Sequence, residues 1–126
     1  MKYKLIQKPN PRELKSQRKW YASPVKEGTI NHYQLSKDIA SKSSYLTRSA
    51  VMNVLENMVR EIPHYLIEGY SVNLNDLGTL RLSFSNEGAD DPQEFSIENI
   101  KSVRVIFTPS PKFKRTLSNV QYEKAE

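Results

Sequence analysis

The sequence predicts an α+β fold: a two-helix layer, a three-stranded antiparallel sheet with an arm-like extension, a short C-terminal helix and an added N-terminal β-hairpin. Three observations carry that reading. Apolar residues recur at helical spacing from Leu35 to Leu66, alternate from Val72 to Phe107, and return to helical spacing at Phe113. Gly69 and the proline pair Pro109 and Pro111 stand where the period changes. At 126 residues and 37% hydrophobic content, the chain holds one ordinary core and is too short for two.

KYKLIQK and RKWYASPV have the aromatic and β-branched content of strands, and the prolines and Asn of PNPRELKSQ mark a loop between them. They form a hairpin over residues 1–28. Asn31 is placed to cap a short helix with Gln34 three residues on, and Leu35, Ile39 and Ala40 make its apolar face. Thr47 caps a longer helix in which Val51, Val54, Leu55, Met58, Val59, Ile62 and Leu66 share a stripe and Gly69 ends it. Pro63 falls inside that stripe and removes one backbone hydrogen bond, so a kink is expected near Val59 to Pro63. Val72 and Leu74, then Leu80, Leu82 and Phe84, alternate around the turn NDLG, and Val103, Val105 and Phe107 alternate in a third strand. Ser110 as N-cap and Pro111 at the first helical position open a basic C-terminal helix with Phe113, Leu117 and Val120 at helical spacing.

Charge is unevenly spread. Residues 1–30 hold Lys2, Lys4, Lys8, Arg12, Lys15, Arg18, Lys19 and Lys26 against Glu13 and Glu27, a local charge of +6. Residues 31–84 balance, and residues 101–126 carry +4. Residues 85–100 carry −5, because SNEGADDPQEFSIEN holds Glu87, Asp90, Asp91, Glu94 and Glu98 with no base. The whole chain is +5.

Several function classes find no support. The chain has no Cys, which removes disulfides, thiolate catalysis and Cys-based metal sites. No apolar run approaches the roughly 20 residues of a membrane helix, and MKYKLIQKPNP lacks the features of a signal peptide, so the expected address is cytoplasmic. His32 and His64 are the only histidines, the four glycines form no phosphate loop, and no serine sits in a nucleophile elbow. An enzyme, a cofactor and a small-molecule substrate are therefore not expected. Glu87, Asp90 and Asp91 lack the alternating spacing of a calcium loop, so no metal is expected either.

The order helix, helix, strand, turn, strand, long connection, strand, short helix resembles that of the bacterial histone-like proteins, the HU and integration host factor family. YQLSKDIASKS is similar to the family's first helix, with Leu35 followed four residues later by Ile39 and Ala40. DLGTLRL resembles the family's Gly-aromatic-Gly-Thr-Phe turn, keeping Gly78 and Thr79 behind Asp76 and Leu77. VIFTPSPKFKRTL resembles its strand-to-helix signature at Phe107, Pro109, Ser110, Phe113 and Lys114. The resemblance runs from about Thr29 to Tyr122. It implies a divergent HU-like domain at 29–122, with 1–28 as a hairpin extension and 123–126 as a tail.

The resemblance also implies a homodimer located at the nucleoid. Its partner would be double-stranded DNA, bound without sequence specificity or by shape, with Lys101, Arg104, Lys112, Lys114 and Arg115 near the phosphates. Lys2, Lys4, Lys8, Arg12, Lys15, Arg18 and Lys19 add positive surface, interleaved with Tyr3, Trp20 and Tyr21. Those aromatics serve either to stack on DNA or as hairpin core packed on the body. In the family the connection between the second and third strands is a basic β-arm with an intercalating proline near its tip. Here that position holds the acidic run, with Pro92 its only proline. The acids are open to three readings: a solvated loop, a DNA-repelling edge, or a contact for the basic hairpin of the same or a partner chain. The alternative function is a dimeric HU-like module that binds protein and has lost DNA affinity.

Overall fold

The computed structural model describes residues 1–8, 12 and 18–126. They form two compact units, Asn31–Arg115 and Met1–Ile30 with Thr116–Glu126.

In the first of these, α1 spans His32–Ala40 and α2 spans Arg48–Ile67. Each starts where its cap residue turns the chain. The Asn31 side chain accepts the Gln34 N–H at 3.0 Å, and Thr47 Oγ1 accepts the Ala50 N–H at 3.1 Å. The α2 helix is continuous through Pro63. It ends in a left-handed Gly69 (φ 97°), with the Gly69 N–H bonded to the Leu66 carbonyl at 3.0 Å and the Tyr70 N–H to the Tyr65 carbonyl at 3.1 Å. That paired closure is a Schellman motif. α1 packs on α2, and the Arg48 guanidinium stacks 4.7 Å from the Tyr33 ring centroid.

Strands β3 (Val72–Asn73), β4 (Gly78–Asn86) and β5 (Ile100–Pro109) form an antiparallel sheet in the order β3-β4-β5. The pairs Leu80–Phe107, Leu82–Val105 and Phe84–Val103 gather the alternating apolar residues on one face, and Arg81–Ile106 and Ser83–Arg104 take the other. Asn75, at φ 54°, makes the β3–β4 turn, with its N–H on Asn73 Oδ1 at 2.9 Å. Gly78 has φ 155°, and a Cβ placed there would sit 2.4 Å from the Thr108 carbonyl oxygen and 2.7 Å from the Phe107 ring. Only glycine fits that passage.

Helix α3 (Pro111–Leu117) is lashed to the same turn. The Ser110 N–H bonds the Leu77 carbonyl at 3.1 Å, and Ser110 Oγ donates to the Asp76 carbonyl while accepting the Phe113 N–H at 3.0 Å. Lys112 Nζ completes the attachment, 3.1 Å from Asp76 Oδ2.

Residues 87–99, in the arm's position, form no long β-ribbon. They close into two 3₁₀ turns, Pro92–Glu94 and Ile97–Asn99. The Glu87 N–H bonds the Asn99 carbonyl at 2.8 Å, and Asp91 and Asn99 side chains accept the Gln93 and Ser96 N–H groups, each at 3.1 Å. Gly88, Pro92 and these Asx contacts favour turns over strand pairing.

In the other unit, β1 (Lys2–Lys8) pairs antiparallel with β2 (Lys19–Pro24), as the hairpin reading expects. A third strand is not foreshadowed by the sequence: β6 (Glu123–Lys124) lies parallel to β1, with the Ala125 N–H on the Tyr3 carbonyl at 2.8 Å.

Burial is shallow. Among the described residues the buried apolar side chains are Val51 and Leu66, at 8% and 6% exposure. Val54 of the α2 stripe keeps 59%, and Val103 and Val105 of the sheet keep 61% and 60%. The apolar faces thus exceed what one chain covers.

Gly78→Ala is expected to cost about 3 kcal/mol, from the left-handed φ and the clash with β5. Gly88→Ala, where an added Cβ meets nothing within 4 Å, is expected to leave the urea midpoint in place; equal midpoints for the two variants would contradict the passage. Ser110→Ala removes a cap and a turn contact together, and urea unfolding should register a loss of about 2 kcal/mol.

Candidate nucleic-acid interface

The α3 side of the larger unit collects part of the basic surface. On the polar face of β4–β5, Arg104 stands opposite Ser83, and Arg81, opposite Ile106, is its diagonal neighbour. Both arginines are exposed, and Ser85 and Ser102 hydroxyls meet at 3.1 Å on the same stretch. Guanidinium and hydroxyl groups that share a face with Ile106 suit phosphate oxygens. Arg81 is missing from the sequence-based set. The alternation Leu80-Arg81-Leu82 points it away from the apolar face, but only the register with Arg104 gives it company.

The remaining candidates in this unit differ in their surroundings. Lys101 Nζ lies 3.9 Å from a Glu87 carboxylate oxygen, and Lys112 holds Asp76. Both pairs are exposed, so each is a weak contact that a phosphate could replace. Lys114 and Arg115 follow on exposed positions of α3. Arg104 is five residues from Pro109, roughly 17 Å along the strand. The bases therefore form a line from sheet to helix rather than one cluster.

The N-terminal sheet carries the second set. With period two, Lys2, Lys4, Ile6 and Lys8 share a face of β1, and Ser23, Tyr21 and Lys19 of β2 stand opposite Lys4, Ile6 and Lys8. The other face holds Tyr3, Leu5, Ala22, Pro24 and Trp20. Tyr21 thus joins the lysines, whereas Trp20 joins the apolar side and keeps 64% exposure rather than being buried as hairpin core. Lys2 Nζ meets Glu27 at 3.8 Å. Arg18 precedes β2, with its carbonyl accepting Gln7 Nε2 at 3.5 Å, and Arg12 is exposed. Lys15 lies outside the described residues.

His32 opens α1, and His64 makes an edge contact with Tyr65, ring centroids 6.0 Å apart. Among the described residues no group of three His, Asp or Glu side chains is placed to hold a metal ion, and no helix is long and apolar enough to cross a membrane.

Comparison with known proteins adds the family context. A family model described as an HU domain fused to wHTH, Ig or glycine-rich motif (HU-HIG) matches residues 1–124. Curated protein sequences give no match. A crystal structure of a candidate bacterial DNA-binding protein from Bacteroides vulgatus ATCC 8482 superposes with TM-score 0.62 at 15% identity, over 98% of this chain and 47% of that one. This chain therefore spans about half the length of that structure. The Anabaena HU–DNA cocrystal structure superposes with TM-score 0.55 at 18% identity, over 72% of this chain and 100% of the HU chain. At such identities the likeness is one of fold.

Proposed function

We infer the function of this chain from its family: it belongs to the HU-HIG family, HU domains fused to wHTH, Ig or glycine-rich motifs, and so to the HU-like, histone-like proteins of bacteria. Its function is to bind double-stranded DNA in an architectural role, at the nucleoid of the cytoplasm. The observation that carries this reading is the HU-like sheet whose polar face presents Arg81 and Arg104, continued by the basic helix α3. Arginine and lysine on such a line bind by neutralising backbone phosphates and releasing counterions. Sequence preference then comes from the deformability of the duplex rather than from base edges. The domain at 29–122 supplies Arg81, Lys101, Arg104, Lys112, Lys114 and Arg115, and the hairpin extension at 1–28 supplies Lys2, Lys4, Lys8, Arg12, Lys15, Arg18 and Lys19. Because residues 87–99 are acidic and turned in on themselves, bending by an intercalating arm has no part in this reading.

A homodimer belongs to the same proposal. The exposed stripe of α2 and the apolar face of β4–β5 are surfaces that a second copy would cover. Light scattering at micromolar concentration is expected to give twice 14.6 kDa; a stable monomer would count against a shared core.

The second reading, a protein-interaction module that has lost DNA affinity, draws its support from the acids in the arm's position. Anisotropy of labelled duplex DNA separates the two. A DNA binder should bind at low salt and lose affinity steeply as salt rises, and Arg81→Ala with Arg104→Ala should shallow the log–log slope by about 2. Lys4→Gln, Lys8→Gln and Lys19→Gln should shallow it further; an unchanged slope removes the hairpin from the interface. Absence of binding at low salt would leave the interaction module standing.

A further inference from the structure

We propose that the lysine face of the N-terminal sheet is the docking site for the acidic connection, residues 87–98, of a second copy of this chain, and that duplex DNA competes for the same face. The docking stands on its own; the competition rests on the DNA-binding reading.

The lysine face is built around a like-charge pair. Lys8 stands directly opposite Lys19, and like charges in that position destabilise a strand pair. Lys4 lies on the same face two positions from Ile6. Among the described residues no carboxylate pairs with Lys4, Lys8 or Lys19, whereas Lys2 meets Glu27. An anionic partner would convert that repulsion into attraction.

The connection has the complementary form. Of its five acids, Glu87 has a cation nearby, Lys101, while Asp90, Asp91, Glu94 and Glu98 have none among the described residues. Its backbone is held by its own hydrogen bonds from Glu87 to Asn99, so it arrives already ordered and loses little entropy on docking. Phe95 and Ile97 stand exposed among the acids, Ile97 at 83%. Tyr21, exposed beside the half-buried Ile6, offers apolar surface among the lysines. Opposite charges at the rim around apolar anchors are what a small specific interface needs.

The connection closes the Asn86–Ile100 end of β4–β5, and its acids at 87–98 are all exposed, open to a second molecule. In a twofold dimer each copy lays its connection on the other's sheet, so the two contacts are equivalent and the interface is isologous.

Carbodiimide coupling, which joins ammonium and carboxylate groups already in contact, tests this on full-length protein refolded from an equimolar mixture of isotope-labelled and unlabelled chains. At low salt, mixed-isotope links are expected between Lys4, Lys8 or Lys19 and Asp90, Asp91, Glu94 or Glu98. They should vanish at high salt and in the variant Asp90→Asn, Asp91→Asn, Glu94→Gln, Glu98→Gln, with unchanged circular dichroism. Links confined to single-isotope species, or no links at all, overturn the docking even if DNA binds normally. Duplex DNA should suppress the mixed links. Persistence of the links with DNA bound overturns the competition alone, and links in a protein that binds no DNA uphold docking while the DNA-binding reading fails.

Discussion

The close passage of β5 over Gly78 is the constraint on which the geometry of the larger unit depends. With the Thr108 carbonyl and the Phe107 ring pressed where a Cβ would stand, β4 can meet β5 only with Gly78 opposite Pro109. That register sets Leu80, Leu82 and Phe84 against Phe107, Val105 and Val103. A slip of one residue in either strand would turn its apolar set to the other face. The same register brings Arg81 beside Arg104 and delivers Ser110 to the Asp76–Leu77 turn, where it starts α3. One residue without a side chain thus determines which face of the sheet is basic and where the basic helix begins.

The features legible in the sequence are those whose partners are close in the chain. Asn31, Thr47 and Ser110 each cap with an N–H three residues on, and Gly69 closes α2 on carbonyls three to five residues back. Apolar period likewise reports only local geometry, and it places α1, α2 and the β4–β5 faces. What the sequence leaves unread depends on residues far apart. β6 is two residues long and pairs with the opposite end of the chain, so nothing near Glu123 announces it. Arg81 becomes a neighbour of Arg104 only through the register. Lys101 and Lys112 carry the same positive charge in sequence as Lys114, yet Glu87 and Asp76 stand against them. The form of residues 87–99 escapes the family resemblance because it is set by Pro92 and the side-chain contacts of Asp91 and Asn99 within the run.

The shallow burial and the uneven charge have one origin in composition. A chain that leaves Val54, Val103 and Val105 more than half exposed carries more apolar surface than it buries. Polar surface is divided by sign along the chain instead of being mixed. Balanced helices, basic termini and an acidic connection are the outcome.

Acids and arginines can share the β4–β5 sheet because of their separation. Arg104 is four residues from Ile100, roughly 14 Å, and Arg81 is five from Asn86, roughly 17 Å. Both distances exceed the screening length of about 8 Å at physiological ionic strength. The nearest base, Lys101, is the one that pairs with Glu87, which takes up the field closest to the acids. At the roughly 30 Å screening length of about 0.01 M salt, the acids would reach both arginines. The acidic connection therefore does not cancel the basic line at working salt. It sets the edge of that line, leaving the half of the sheet that adjoins α3 beyond the screened reach of the acids.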